Sequence, residues 1–289
     1  MELEQASRKK AKIKLALQGP SGSGKTKSAL LIAYGLCGNW SKIAVIDTEN
    51  RSADLYADLG AYNVLALSPP FTPERYCEAL GVCLKAQMQV IIVDSMSHEW
   101  EGIGGILDIH AGMVGNSFTN WSKLTPRHNT VVQTMLQADV HIIGTIRAKT
   151  EYVLSDKNGK QVPEKVGMKG ITREGMDYEF TLCFDLDTSL KAKVTKDRTQ
   201  IFYGKPEFVP STETGAIILK WCNQGTNAPL LTTESIIKAI HECKTNDELV
   251  ALYNAHPIYQ QALVAEFSKR KQQLFNNQNN FSTNGTHSS

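Results

Sequence analysis

The sequence predicts an α/β fold: a mostly parallel sheet with helices on its faces, extended by antiparallel strands and followed by a small helical appendage. Three observations carry this. Gly19-Pro-Ser-Gly-Ser-Gly-Lys25-Thr26 is a complete phosphate-binding loop, set between an apolar run at residues 13–17 and a helical pattern at 27–36. Short apolar strands then alternate with helical stretches, the signature of crossover units. From Glu179 to Trp221 the texture turns β-rich, with polar turns between the segments.

The first strand, 13–17, leads into the loop. Its glycines let the backbone curl so that the N–H groups of Gly19, Ser21, Gly22, Ser23 and Gly24 point inward around a triphosphate, with Pro20 among them. Lys25 reaches the β- and γ-phosphates, and the Thr26 hydroxyl can ligate Mg²⁺. The helix that follows presents its N-terminus to the same anion. Further strands are expected at 42–47, 64–67, 90–94 and 141–146, with helices at 73–87 and 126–137, the latter with Pro126 in its first turn. The β-rich stretch reads as strands at 181–186, 191–195, 200–203 and 216–221.

Five regions follow: a basic N-terminal segment at 1–12, the phosphate-loop α/β domain at 13–222, a linker at 223–231, a helical appendage at 232–275 and a disordered tail at 276–289. In the appendage, helices are expected at 232–243, 245–253 and 257–275, the second opening on a Thr245-x-x-Glu248 capping box. About 45 residues bury too little to stand alone, so this unit is expected to dock on the core or on a partner. The tail is polar and rich in Asn, Ser and Thr.

The 289 residues are 42% hydrophobic, enough for a real core, and the net charge of +2 announces no nucleic-acid partner by itself. Six scattered cysteines form no C-x-x-C pair, so reduced thiols in a cytoplasm are expected. No apolar run approaches the roughly 20 residues of a membrane span. His98-Glu99 lacks a second histidine at zinc-ligand spacing and reads as ordinary loop.

Two strands end in carboxylates. Val90-Ile-Ile-Val-Asp94 has the form of an element that holds Mg²⁺ through water, and Ile43-Ala-Val-Ile-Asp47-Thr-Glu49 ends beside it. Both would lie at the carboxyl edge where α/β sheets bind ligands. Glu49 is the best-placed group to orient and deprotonate an attacking water. The alternative is that Asp47 and Glu49 merely cap the following helix.

At this point the chain resembles the ATPase core of RecA-type recombinases. The resemblance rests on the phosphate loop, Ile-Asp47-Thr-Glu49-Asn with Tyr56 after it, Val-Ile-Ile-Val-Asp94-Ser, His141-Ile-Ile-Gly-Thr145-Ile-Arg147-Ala-Lys149 and Lys193-Val-Thr-Lys196-Asp-Arg198, across residues 13–221. Asp94-Ser-Met-Ser-His-Glu-Trp-Glu-Gly, Asn120-Trp with Thr125-Pro-Arg-His-Asn129, and Lys149-Thr-Glu-Tyr152 are similar to phage-encoded RecA-like ATPases of single-strand annealing and recombination. The resemblance implies a RecA-like P-loop core, ATP and Mg²⁺ as cofactors, and single-stranded DNA as partner. It also implies self-association into a filament or ring, with a single-strand-binding protein as a further candidate partner, in the cytoplasm of a bacterial host.

It implies roles for single residues too. Glu49 would activate water; Tyr56 would lie against adenine, unless it is simply an exposed tyrosine. Thr145 stands where bacterial recombinases carry a γ-phosphate-sensing glutamine. Lys196 and Arg198 would reach a neighbour's γ-phosphate, with surface salt bridging as the alternative. Two loops would face DNA. The first, 100–129, carries Gly102, Gly104, Gly105, Gly112 and Gly115, with Trp121, Arg127 and His128 as contacts. The second, 147–173, sets Arg147, Lys149, Lys157, Lys160, Lys165, Lys169 and Arg173 against only Glu151, Asp156 and Glu164. Such a loop can track phosphates, with Tyr152 and Met168 against bases, although a solvated charged loop is the plainer reading. Competing functions are a hexameric helicase or DNA motor subunit and an ATP-switched adaptor for replication proteins.

Overall fold

The structure, a computed structural model, describes residues 8–157, 160–225, 233–255, 260 and 262–282. The chain divides into two units at Gly225. In the first, strands β1 (Lys14–Gly19), β2 (Ile43–Asp47), β3 (Asn63–Ala66), β4 (Val90–Asp94), β5 (His141–Lys157), β7 (Leu182–Leu186) and β8 (Ala192–Asp197) form one sheet in the order β3-β2-β4-β5-β1-β7-β8. Strand β6 (Lys160–Gly170) pairs off β5 alone. Neighbours from β3 to β7 are parallel, whereas β7–β8 and β5–β6 are antiparallel. Parallel strands bring their carboxyl ends to one edge, so Gly19, Asp47 and Asp94 share it, Asp47 directly beside Asp94 and Gly19 beside Arg147 of the intervening β5.

Burial explains why β2 and β4 read as unbroken apolar runs. Every residue of β2 and of β4 is buried, because helices cover both faces of the sheet. Alternate side chains feed two cores. Leu15, Leu17, Val45, Ile92 and Phe184 meet α1 (Lys25–Cys37) through Leu30, Ile32 and Ala33. On the other face Ala16, Ile46, Ile91 and Val93 meet α2 (Pro73–Lys85) and α5 (Ser117–Gln137) through Tyr76, Leu80, Val131 and Met135.

Several elements differ from the sequence reading. Residues 216–221, expected as a strand, lie in helix α6 (Thr212–Cys222). A capping box between Ser211 and Thr214 starts it, and the buried Thr214, Ile218 and Cys222 recur at helical spacing. The segment 200–203 is a turn, its amides at Gln200 and Phe202 bonded to the Asp197 carboxylate. Helix α5 starts at Ser117, so Pro126 is inside it rather than in the first turn; the Asn116 side chain caps it by accepting from Phe118 and Thr119 N–H. The expected first mobile loop is therefore α3 (Ser97–Glu101), α4 (Ile106–Gly112) and the start of α5. The expected second loop is a β hairpin, β5 running on to Lys157 and returning as β6.

Helices α1 and α6 touch backbone to backbone. A Cβ on Gly35 would lie 2.0 Å from Thr212 O and 2.8 Å from Gly215 Cα. Gly35→Ala must therefore push the helices apart, at a cost of about 1–3 kcal/mol. For a domain of this size that corresponds to a melting temperature lower by roughly 2–12 °C, measurable by calorimetry. An unchanged melting temperature would mean that the crossing is looser than described.

The second unit, from Thr226, contains α7 (Thr233–Glu242), α8 (Asn246–Ala255) and α9 (Val264–Ser282) around Ile236, Ile240, Leu249, Leu263, Phe267 and Leu274. The capping box is formed: Glu248 N–H donates to Thr245 Oγ1 at 3.2 Å and Thr245 N–H to Glu248 Oε2 at 3.3 Å. Helix α9 runs through Ser282, into the stretch expected to be disordered from Asn276. Most of the expected linker, and residues 1–7 and 283–289, lie outside the described residues.

Candidate nucleotide-binding site

Gly22 and Gly24 hold φ of 78° and 76°, left-handed values that let the loop turn back over the start of α1. No side chain caps α1, so no capping group competes with an anion for its first N–H groups. Lys25 Nζ donates to Gly19 O at 2.9 Å and Pro20 O at 2.8 Å, which keeps the ammonium against the loop. Together with Thr26, Glu49, Asp94 and Arg147, this loop lines a cleft of about 660 Å³. Tyr56 and Ser52 form part of one wall and Leu190 part of another. The Asp187 carboxylate accepts from Ser189 and Lys191 N–H, fixing the β7–β8 turn that brings Leu190 against Gly24.

Asp94 is buried and central. Thr26 Oγ1 donates to its Oδ2 at 2.6 Å, and Thr145 Oγ1 donates to its Oδ1. Burial raises the Asp94 carboxyl above its usual value, the two hydroxyls oppose that, and the nearby Glu49 and Asp47 charges add to it. Such a carboxylate gains from a cation beside it. The hard oxygens of Thr26 and Asp94, within hydrogen-bond distance of one another, suit Mg²⁺.

The two carboxylates after β2 divide their roles. Asp47 takes the capping one: it accepts from Glu49 N–H at 2.7 Å and Arg51 N–H at 3.2 Å on one oxygen, and from Ala53 N–H at 2.8 Å on the other. Glu49 instead faces the cleft, where Arg147 grips it bidentately, with Nε to Oε1 at 2.8 Å and Nη2 to Oε2. Burial alone would raise the Glu49 carboxyl; the Arg147 hydrogen bonds and charge outweigh it and hold it below the ordinary range. Burial lowers the Lys25 ammonium, against the pull of Asp94 and Glu49.

A layer beneath holds these groups. Thr48 Oγ1 accepts from Ser95 N–H at 2.8 Å, reaches Ser95 O at 3.3 Å and shares a hydrogen bond with His98 Nδ1 at 2.8 Å, whose direction depends on the tautomer of the neutral imidazole. Burial lowers the His98 pKa, consistent with that neutral form. Tyr76 Oη donates to Ser95 O at 2.9 Å. Neither Tyr76 nor His98 stands out in the sequence, where His98 reads as loop.

The other expected site residues are scattered. Arg147, which in the sequence groups with the DNA-facing cations, is turned into the cleft. Arg127 makes a bidentate pair with Glu74 at 2.7 and 2.8 Å, and His128 is buried with its Nδ1–H on Glu99 Oε2 at 2.9 Å, so His128 offers no surface contact. Trp121 is stacked between Trp100 and His110. Arg173 donates to Asn129 Oδ1 at 3.0 Å, while Lys149 and Lys169 are exposed. The backbones of Lys157, Lys160 and Lys165 belong to the hairpin; their side chains, with Tyr152 and Met168, lie outside the described residues. Strand β8 ends at the opposite edge of the sheet: Asp197 pairs with Leu182, which is level with Leu15. Lys196 Nζ there donates to Asp177 O and Tyr178 O at 2.8 and 2.6 Å, and Arg198 is exposed.

A phosphate loop at the carboxyl edge of a parallel sheet, with a hydroxyl and an aspartate converging on its mouth, defines a P-loop nucleotide-binding protein. The AAA-domain profile matches residues 11–214, and the chain belongs to that family. Comparison with curated proteins returns no match. Among the described residues no helix is long and apolar enough to cross a membrane, and no cluster of three His, Cys, Asp or Glu is disposed to hold a metal.

Proposed function

We propose that the chain is an ATP- and Mg²⁺-dependent ATPase that works on single-stranded DNA, promoting annealing or strand exchange in phage recombination. The observation that carries this reading is that the basic hairpin grows from the wall of the nucleotide cleft. Ala148 and Ile171, at its two feet, line the cleft, and Ile171 N–H donates to Arg147 O at 2.6 Å. A change at the phosphates can thus pass to the hairpin through a few bonds.

In this reading Lys25 neutralises the β- and γ-phosphates and Glu49 orients and deprotonates water. Thr26 and Asp94 hold Mg²⁺, which when bound offsets charge on the phosphate oxygens. Thr145 keeps Asp94 in place, and Tyr56 supports the base. Lys196 and Arg198, at the edge remote from their own loop, serve a neighbouring subunit in a filament or ring.

The test is phosphate release with and without single-stranded DNA. Stimulation is expected; equal rates would leave a nucleotide switch without a DNA partner, and strand unwinding would instead mark a motor. Replacing Lys157, Lys160 and Lys165 with alanine should weaken DNA binding and reduce the slope of log affinity against log salt by about 2, since single strands release about 0.7 counterion per contact. An unchanged slope would remove the hairpin from the DNA interface.

A further inference from the structure

The backbone of Arg147 is hydrogen-bonded through both its N–H and its carbonyl. Its N–H donates to Ser97 Oγ at 2.9 Å and its carbonyl accepts from Ile171, while Ile146 beside it is buried and Thr145 is tied to Asp94. Only the side chain is left to move. The Arg147 side chain is 42% exposed, within the cleft that Gly24, Lys25 and Thr26 share. Both oxygens of Glu49 are taken up by it, and a carboxylate so gripped has its strongest acceptor positions blocked to water.

We propose that Arg147 senses the triphosphate, exchanging its fork between Glu49 and the γ-phosphate so that the water-activating carboxylate is freed only when a γ-phosphate is bound. This rests on the nucleotide reading above. The chemistry favours the exchange, because a terminal phosphate presents the same bidentate oxygen geometry as a carboxylate with more negative charge. ADP lacks that group, so with ADP the Glu49 pair persists. Arg147 then serves two ends at once: it discriminates triphosphate from diphosphate, and it suppresses idle activation of water.

The test is a thermodynamic cycle read by calorimetric titration with Mg²⁺ and either ATPγS or ADP. Arg147→Ala should lose about tenfold in ATPγS affinity, the scale of a charge-assisted hydrogen bond, and leave ADP within about twofold. Glu49→Gln, which weakens the competing pair, should bind ATPγS several-fold more tightly with ADP unchanged. The double variant should forfeit that gain. Arg147→Lys keeps the charge without the fork and should recover part of the triphosphate preference, which a purely structural role would not produce. If Arg147→Ala fails to fold, Arg147→Lys and Glu49→Gln still carry the comparison. Equal losses for ATPγS and ADP in the Arg147 variants, or a Glu49→Gln gain that survives in the double variant, would overturn the proposal. A wild-type protein that binds neither nucleotide would sink the parent reading as well, a result distinct from equal affinities.

Discussion

Lys25→Ala is expected to abolish nucleotide hydrolysis and to weaken triphosphate binding by at least tenfold. Lys25 is the cation that the loop itself supplies to the phosphates, and its ammonium already rests on the carbonyls of Gly19 and Pro20 at the loop's mouth. Removing it leaves the N–H groups of the loop and the start of α1 to hold the β- and γ-phosphates, dipoles in place of a full charge. The fold should not suffer. Alanine is a good helix former at the start of α1, and a half-buried ammonium whose pKa burial already lowers is a costly group to keep. Calorimetric titration with a non-hydrolysed triphosphate, beside a thermal melt, separates the two effects. Undiminished affinity in a protein of unchanged melting temperature would show that the phosphates lie elsewhere.

The sheet and loop are legible in the sequence because the central strands β2 and β4, covered on both faces, are apolar up to their last residue. Val90–Asp94 and Ile43–Asp47 have no polar interruption before their terminal carboxylates. The same feature misleads at 216–221: Ala-Ile-Ile-Leu-Lys-Trp is as apolar as a strand, and its helical state rests on the Ser211–Thr214 cap and on glycine contact with α1. The hairpin reads as a loop because its charged residues hide any alternation, although β5 is simply a core strand that continues past the sheet edge.

The site is half legible for a related reason. Phosphate-loop chemistry is local in sequence, so eight residues suffice to assign Lys25 and Thr26. Pairings across the fold leave no such mark: Glu49 and Arg147 are 98 residues apart, and Glu99 and His128 are 29 apart. Strand order brings the first pair together, since β2 and β5 flank β4, and Arg147 is where β5 passes the edge at which β2 ends. A cation on a basic segment reads as a nucleic-acid contact until that order is known.

Glu49→Gln carries the second large effect, and of an opposite kind to the first: nucleotide binding retained, turnover lowered by roughly 10²–10⁴-fold. The two side chains are nearly isosteric, so the cleft keeps its shape. Asp47, which holds the turn after β2 through three backbone N–H groups, is untouched, and this separation of roles makes the substitution clean. What is lost is basicity, because an amide can accept from Arg147 or from water but cannot take a proton. Glu49 is the carboxylate suited to receive one, since Asp94, the other acidic group lining the cleft, is committed to Thr26 and Thr145. Single-turnover phosphate release at saturating ATP reads the chemical step alone, and a parallel binding titration guards against a lost ligand. Undiminished release at full occupancy would remove Glu49 from the mechanism, and would leave its ion pair with Arg147 as a structural bond.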